Sequence, residues 1–117
     1  MNPLIPLRVA LGAFVLLVST PLVHAQGNPL KASCISVVGI ADQGTTAMDY
    51  TNNCDTCASF IPYIRNSSGK VATGLSAQVG QLYDGRLRLG PNYSDRVNFG
   101  IKEGSWSGYA QDVRECP

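Results

Sequence analysis

The chain has 117 residues, with nine Lys or Arg against eight Asp or Glu, one histidine and four cysteines. So even a charge balance argues against a nucleic-acid-binding domain, which shows a basic excess. The length suits one domain whose hydrophobic core is too small to supply much stability alone.

At the start, Arg8 precedes the apolar run Val9-Ala10-Leu11-Gly12-Ala13-Phe14-Val15-Leu16-Leu17-Val18, and Val23-His24-Ala25 lies ahead of Gln26. This pattern predicts a secretory signal peptide over residues 1–25. The run is about half the length a membrane-spanning helix needs, so no membrane insertion is expected after cleavage. Removing residues 1–25 takes away Arg8 and His24, leaving eight charges of each sign and no imidazole. The commonest general base and metal ligand is then missing, so no Ser-His-Asp arrangement, metal or cofactor is expected.

Residues 26–33 read as a loose N-terminal tail, and residues 34–117 as a single domain. Within it, Gly and Pro recur every eight to twelve residues and no helical period is found. Strands are predicted near 34–40, 46–52, 58–65, 70–79, 81–83, 86–89, 96–102 and 107–116. Val71, Thr73, Leu75, Ala77 and Val79 alternate with Ala72, Gly74, Ser76 and Gln78. Val97, Phe99 and Ile101 alternate with Arg96, Asn98 and Lys102, and Leu87 and Leu89 with Arg86 and Arg88. Period two over short segments marks half-buried strands. Asp84-Gly85 suits a two-residue hairpin turn, Gly80 suggests a bulge, and Pro62 suggests an edge or bulged strand. Seven or eight such strands predict an all-β fold, an antiparallel β-sandwich of immunoglobulin or fibronectin type, with a small closed barrel as the alternative.

Cys34, Cys54, Cys57 and Cys116 form an even set in a short exported chain, which predicts two disulfides. In a meander of alternating strand direction the first three lie at one pole. Cys116 joins them only if the number of strands is even. The favoured pairing is Cys34–Cys54 with Cys57–Cys116; Cys34–Cys57 with Cys54–Cys116 is the near alternative. A Cys54–Cys57 bond would instead signal thiol–disulfide exchange. However, Ala58-Ser59-Phe60-Ile61 continues as a strand, and Asp55 would raise a neighbouring thiol's pKa.

The acids are scattered and no carboxylate pair is placed across a cleft, so no enzyme activity is expected. For binding, the candidates are Trp106 in the Gly-flanked stretch Glu103–Gly108, joined by Tyr93 and Tyr109 as an aromatic patch at one end. The competing role for Trp106 is to cap the core. Arg86, Arg88, Arg96 and Lys102 would share one outward face if residues 86–89 and 96–102 paired as a hairpin, suiting an anionic partner or simply a solvated face. Asn66-Ser67-Ser68 and Asn92-Tyr93-Ser94 match the glycosylation acceptor pattern, but the compact signal peptide points to a bacterial exported protein. The expectation is a secreted or periplasmic, non-enzymatic interaction module or protein inhibitor with a protein or glycan partner. The alternatives are a thiol–disulfide exchange partner using Cys54 and Cys57, and a structural subunit pairing through an edge strand or its tail.

Overall fold

Alternation resolves into eight strands in the computed structural model, which describes residues 27–117. The expected signal peptide lies outside the described residues. The strands are β1 (Ile35–Asp42), β2 (Thr45–Asn52), β3 (Ala58–Asn66), β4 (Val71–Thr73), β5 (Ser76–Ala77), β6 (Leu87–Leu89), β7 (Ser94–Lys102) and β8 (Trp106–Glu115). A single 3-10 turn, Ala32–Cys34, leads into β1. All strand pairings are antiparallel.

Two sheets result. The first has the order β1-β2-β7-β5. In the second, β3 is central, with β8 along one side and both β6 and β4 sharing the other. Their inner faces bury Tyr50, Phe60, Ile64, Leu87 and Val97 almost completely, with Met48, Leu89, Phe99 and Val113 around them. The Tyr50 and Phe60 rings meet across this core at 5.3 Å. The Tyr50 hydroxyl then donates to the Tyr109 carbonyl of β8 at 3.0 Å, so the phenol of one sheet is anchored on the backbone of the other.

Pro62 sits on the central strand rather than an edge, and its place has a simple cause. β6 pairs Ala58–Phe60 and β4 pairs Tyr63–Arg65, leaving Pro62 opposite the gap between them. Its carbonyl accepts from Gly74 there. A strand residue points its N–H and C=O the same way, so proline's missing donor faces no partner strand.

The segment read as one strand over 70–79 is two. β4 belongs to the second sheet and β5 to the first, and the chain crosses between them at Gly74-Leu75. A Cβ on Gly74 would stand 2.7 Å from Val97 Cγ1 and 3.2 Å from the Pro62 ring, so the crossing needs glycine. The apolar row Val71, Leu75 and Val79 consequently points to solvent, because no sheet faces it. Residues 81–83 form no strand either. Tyr83 instead bridges Arg86 around Asp84-Gly85, whose φ angles of 52° and 79° are those of the expected hairpin turn. Val79 and Gly80 leave the ladder and donate their N–H groups to the buried Asp95 carboxylate at 2.9 and 2.8 Å.

Within the expected loose tail, Asn28–Leu30 are held in place. Pro29 bridges Arg114, Leu30 donates to the Val113 carbonyl, and Glu115 donates to that of Asn28.

Candidate binding surface

The bonding of the Cys-x-x-Cys stretch decides whether sulfur does chemistry here. Cys34 is bonded to Cys54 and Cys57 to Cys116, with Cα separations of 5.0 and 5.4 Å, and no described cysteine is free. All four lie at one pole, where β1 and β3 begin and β2 and β8 end. The turn between the two central cysteines is shaped by Asn52, whose side chain is wholly buried. Its Oδ1 accepts from the Cys54 N–H at 2.7 Å, and its Nδ2 donates to the carbonyls of Thr56 and Leu89 at 3.0 and 2.8 Å. A thiol–disulfide exchange pair would need Cys54 bonded to Cys57 at a helix start; here each is tied to a distant strand end and no helix follows.

The outer face of the β3–β8 pair is where unusual side chains gather. Antiparallel register sets Tyr63 directly opposite Tyr109. Their rings stack with centroids 5.2 Å apart and planes 23° apart. Arg65, two residues further along the same face, carries its guanidinium 5.8 Å from the Tyr109 ring. Tyr109 remains 41% exposed, so an aromatic surface is held in place without being covered.

Toward the disulfide pole the same face becomes a guanidinium-lined cleft of about 380 Å³, with Ser59, Tyr83, Arg86, Arg88, Asp112 and Arg114 among its walls. Arg86 spans β3: its Nε donates to Ser59 Oγ at 2.8 Å, and its Nη1 donates to Asp112 Oδ2 at 2.9 Å. Arg114 Nε donates to the other Asp112 oxygen at 2.9 Å. The bond from Arg86 and then that from Arg114 hold the Asp112 carboxyl below its usual range. Asp112 has φ 51°, at the register shift of β8 against Ser59 and Ile61, so a bulge aims it back across the sheet. Arg88 has no carboxylate partner among the described residues and lies 5.0 Å over the Tyr83 ring.

The residues singled out from sequence are distributed differently. Trp106 opens β8 and packs against the core, forming part of a shallow cleft of about 290 Å³ with Ile40, Met48 and Gly104. Tyr93 is exposed in the turn before β7, at the opposite pole, where its backbone carbonyl accepts from Asn52. Tyr109 lies mid-strand. The three do not form one patch, because Trp106 and Tyr93 sit at opposite ends of their sheets. The basic cluster also divides. β6 pairs β3 whereas β7 pairs β2, so Gly90–Tyr93 carries the chain from one sheet to the other instead of closing a hairpin. Arg96 binds Asp49 at 2.7 and 3.2 Å, which raises its pKa, and Lys102 ends the same strand. Arg86 and Arg88 stay on the second sheet and meet Arg114 instead. The alternation Ser59, Ile61, Tyr63, Arg65 against Phe60 and Ile64 was the available signal for this face. Its pairing with β8, over forty residues on, was not local information.

Asn66, of the first glycosylation pattern, uses Oδ1 to accept from Ser68 and Lys70 and so shapes the β3–β4 turn. Asn92, of the second, lies exposed with φ 70°. Among the described residues no three His, Cys, Asp or Glu side chains come together as a metal site. No family model, curated protein or solved structure matches this chain. By its own chemistry, a stacked, partly exposed tyrosine pair flanked by arginines can hold flat or anionic groups.

Proposed function

We propose that the chain is a small exported interaction module, without catalytic activity, that engages its partner through the outer face of β3 and β8. The observation carrying this is the Tyr63–Tyr109 stack beneath Arg65, aromatic area held rigid yet left accessible. Tyr and Arg dominate interface anchors because they bring large contact area and directional donors at modest entropic cost. Arg88, with no carboxylate partner among the described residues, extends the same face toward an acidic protein surface or a carboxylated glycan.

Export is supported by the signal-like residues 1–25, and the two disulfides fit an oxidising compartment, periplasmic or extracellular. An immunoglobulin-type arrangement is supported by the strand order β1-β2-β7-β5 and by the β3–β8 pairing, which follow the order of the first, second, fifth and fourth strands and the third–sixth pairing of that sandwich. No described strand takes the place of its seventh. The bonding of Cys54 and Cys57 to other strands counts against the exchange reading.

Tyr109→Ala and Arg65→Ala, both at exposed positions, should keep the native far-ultraviolet spectrum and a cooperative thermal unfolding transition, and lose capture of partners from an array of neutral and acidic glycans and acidic proteins. Capture unchanged in both variants, or no capture by the unaltered protein, would remove the basis for this reading.

A further inference from the structure

Among the described residues, the longest sheet edge left without a shield is that of β1. β5 has two residues, and β4 and β6 have three each, too short to template a partner strand. β8 is bulged at Asp112 and its end is covered by Asn28–Leu30, which leaves only the six residues Trp106–Gln111 of its edge open. β1 has none of these devices. It runs eight residues, Ile35–Asp42, in unbroken register with β2 from Ile35↔Asn52 to Asp42↔Thr45. It contains no proline, lysine or arginine, and its one charge, Asp42, stands at the very end. Among the described residues no strand pairs with its outer edge, and Val38 on its outer face is 59% exposed.

We propose that the outer edge of β1 pairs antiparallel with β1 of a second copy, joining the first sheets of two molecules across a two-fold axis. Charge selects this occupant. A two-fold contact sets the residues around the axis against or near their own copies and brings one edge against the same edge, so like charges carried there repel. Ile35–Ala41 carries none, whereas the outer face of the other sheet carries Arg65, Arg86, Arg88 and Arg114. An axis passing at Val38 places Val38 against its own copy and Ser36 against the copy's Ile40, keeping like faces together, with Asp42 beyond the overlap. Asp49, the cross-strand neighbour of Val38, is already bound by Arg96. The two Asp49 residues would be three strand spacings apart, about 14 Å, beyond the screening length of about 8 Å.

Light scattering and sedimentation of the disulfide-intact protein over a wide concentration range test this. The unaltered protein should pass from monomer to a closed dimer, and Val38→Thr should behave alike. Val38→Lys, which puts two ammonium groups together at the axis, should raise the dissociation constant about tenfold or more. Hydrogen exchange should show the outward amides of β1 protected in concentrated unaltered protein and unprotected in Val38→Lys. A strict monomer at the highest concentration, association insensitive to Val38→Lys, or growth beyond the dimer would each overturn the proposal.

Discussion

The side-chain amide of Asn52 donates to the carbonyl of Leu89 at 2.8 Å, tying the end of β2 in one sheet to β6 in the other. The same wholly buried side chain also serves Cys54 and Thr56. Asn52→Ala strands three backbone groups, two of them carbonyls, at the disulfide pole. It should lower the free energy of urea unfolding by about 2–4 kcal/mol. Asn52→Asp keeps the acceptor for Cys54 but turns the donor into a charge facing two carbonyls, so that variant should be more stable at acid than at neutral pH. A loss below about 1 kcal/mol for the alanine variant would show that the pole is held by its disulfides alone.

Burial drives the Tyr50 phenol well above its usual pKa of 10.0. The folded state therefore keeps the proton that the unfolded chain releases, and unfolding above pH 10 is accompanied by proton loss. Stability should be insensitive to this group below that value and fall above it, by up to about 1.4 kcal/mol per pH unit. Tyr50→Phe should remove that part of the alkaline slope at a cost of about 1 kcal/mol at neutral pH, the hydroxyl bond to Tyr109 being lost. An unchanged alkaline slope in the variant would assign the effect to other groups.

Asp112 titrates in the opposite sense. Its bonds to Arg86 and Arg114 depress its pKa, so its contribution is complete above the ordinary value of 3.8 and is lost as the pH falls below it. The carboxylate is 43% exposed, which keeps the neutral-pH cost of Asp112→Asn below about 1 kcal/mol. Thermal unfolding at pH 7 and pH 2.5 should show the gap between parent and variant closing in acid; a gap that widens contradicts the assignment.

The two disulfides should differ in weight. Cys34–Cys54 spans 20 residues and Cys57–Cys116 spans 59. In the chain-entropy model these correspond to about 3 and about 4 kcal/mol. Paired Cys→Ala replacement of the longer link should therefore cost about 1 kcal/mol more than replacement of the shorter. The reverse order would point to native packing, rather than restriction of the unfolded chain, as the source of the difference.

Gly74→Ala tests the crossing between sheets. Its added methyl group meets Val97, Pro62 and Leu82 from three sides, within 3.3 Å of each. Overpacking of this kind should cost about 1–3 kcal/mol in chemical denaturation. Gly85→Ala, with open space around its Cβ but φ 79°, should cost less than that through backbone strain alone.

By itself, the sequence determined what is local. The Asp84-Gly85 turn, the buried rows Leu87–Leu89 and Val97–Phe99, and β-structure throughout follow from turn chemistry and from a side-chain period that needs no knowledge of neighbours. Only the tertiary structure decided which strands share a sheet. One alternating stretch, 70–79, serves two sheets, and β6 and β7, adjacent in the chain, belong to different ones. That separation takes Arg96 and Lys102 away from Arg86 and Arg88 and brings in Asp112 and Arg114, as well as Tyr109 onto Tyr63. The physical reason is that period two sorts the faces of a strand, whereas its neighbours are chosen by burying those faces against segments far along the chain.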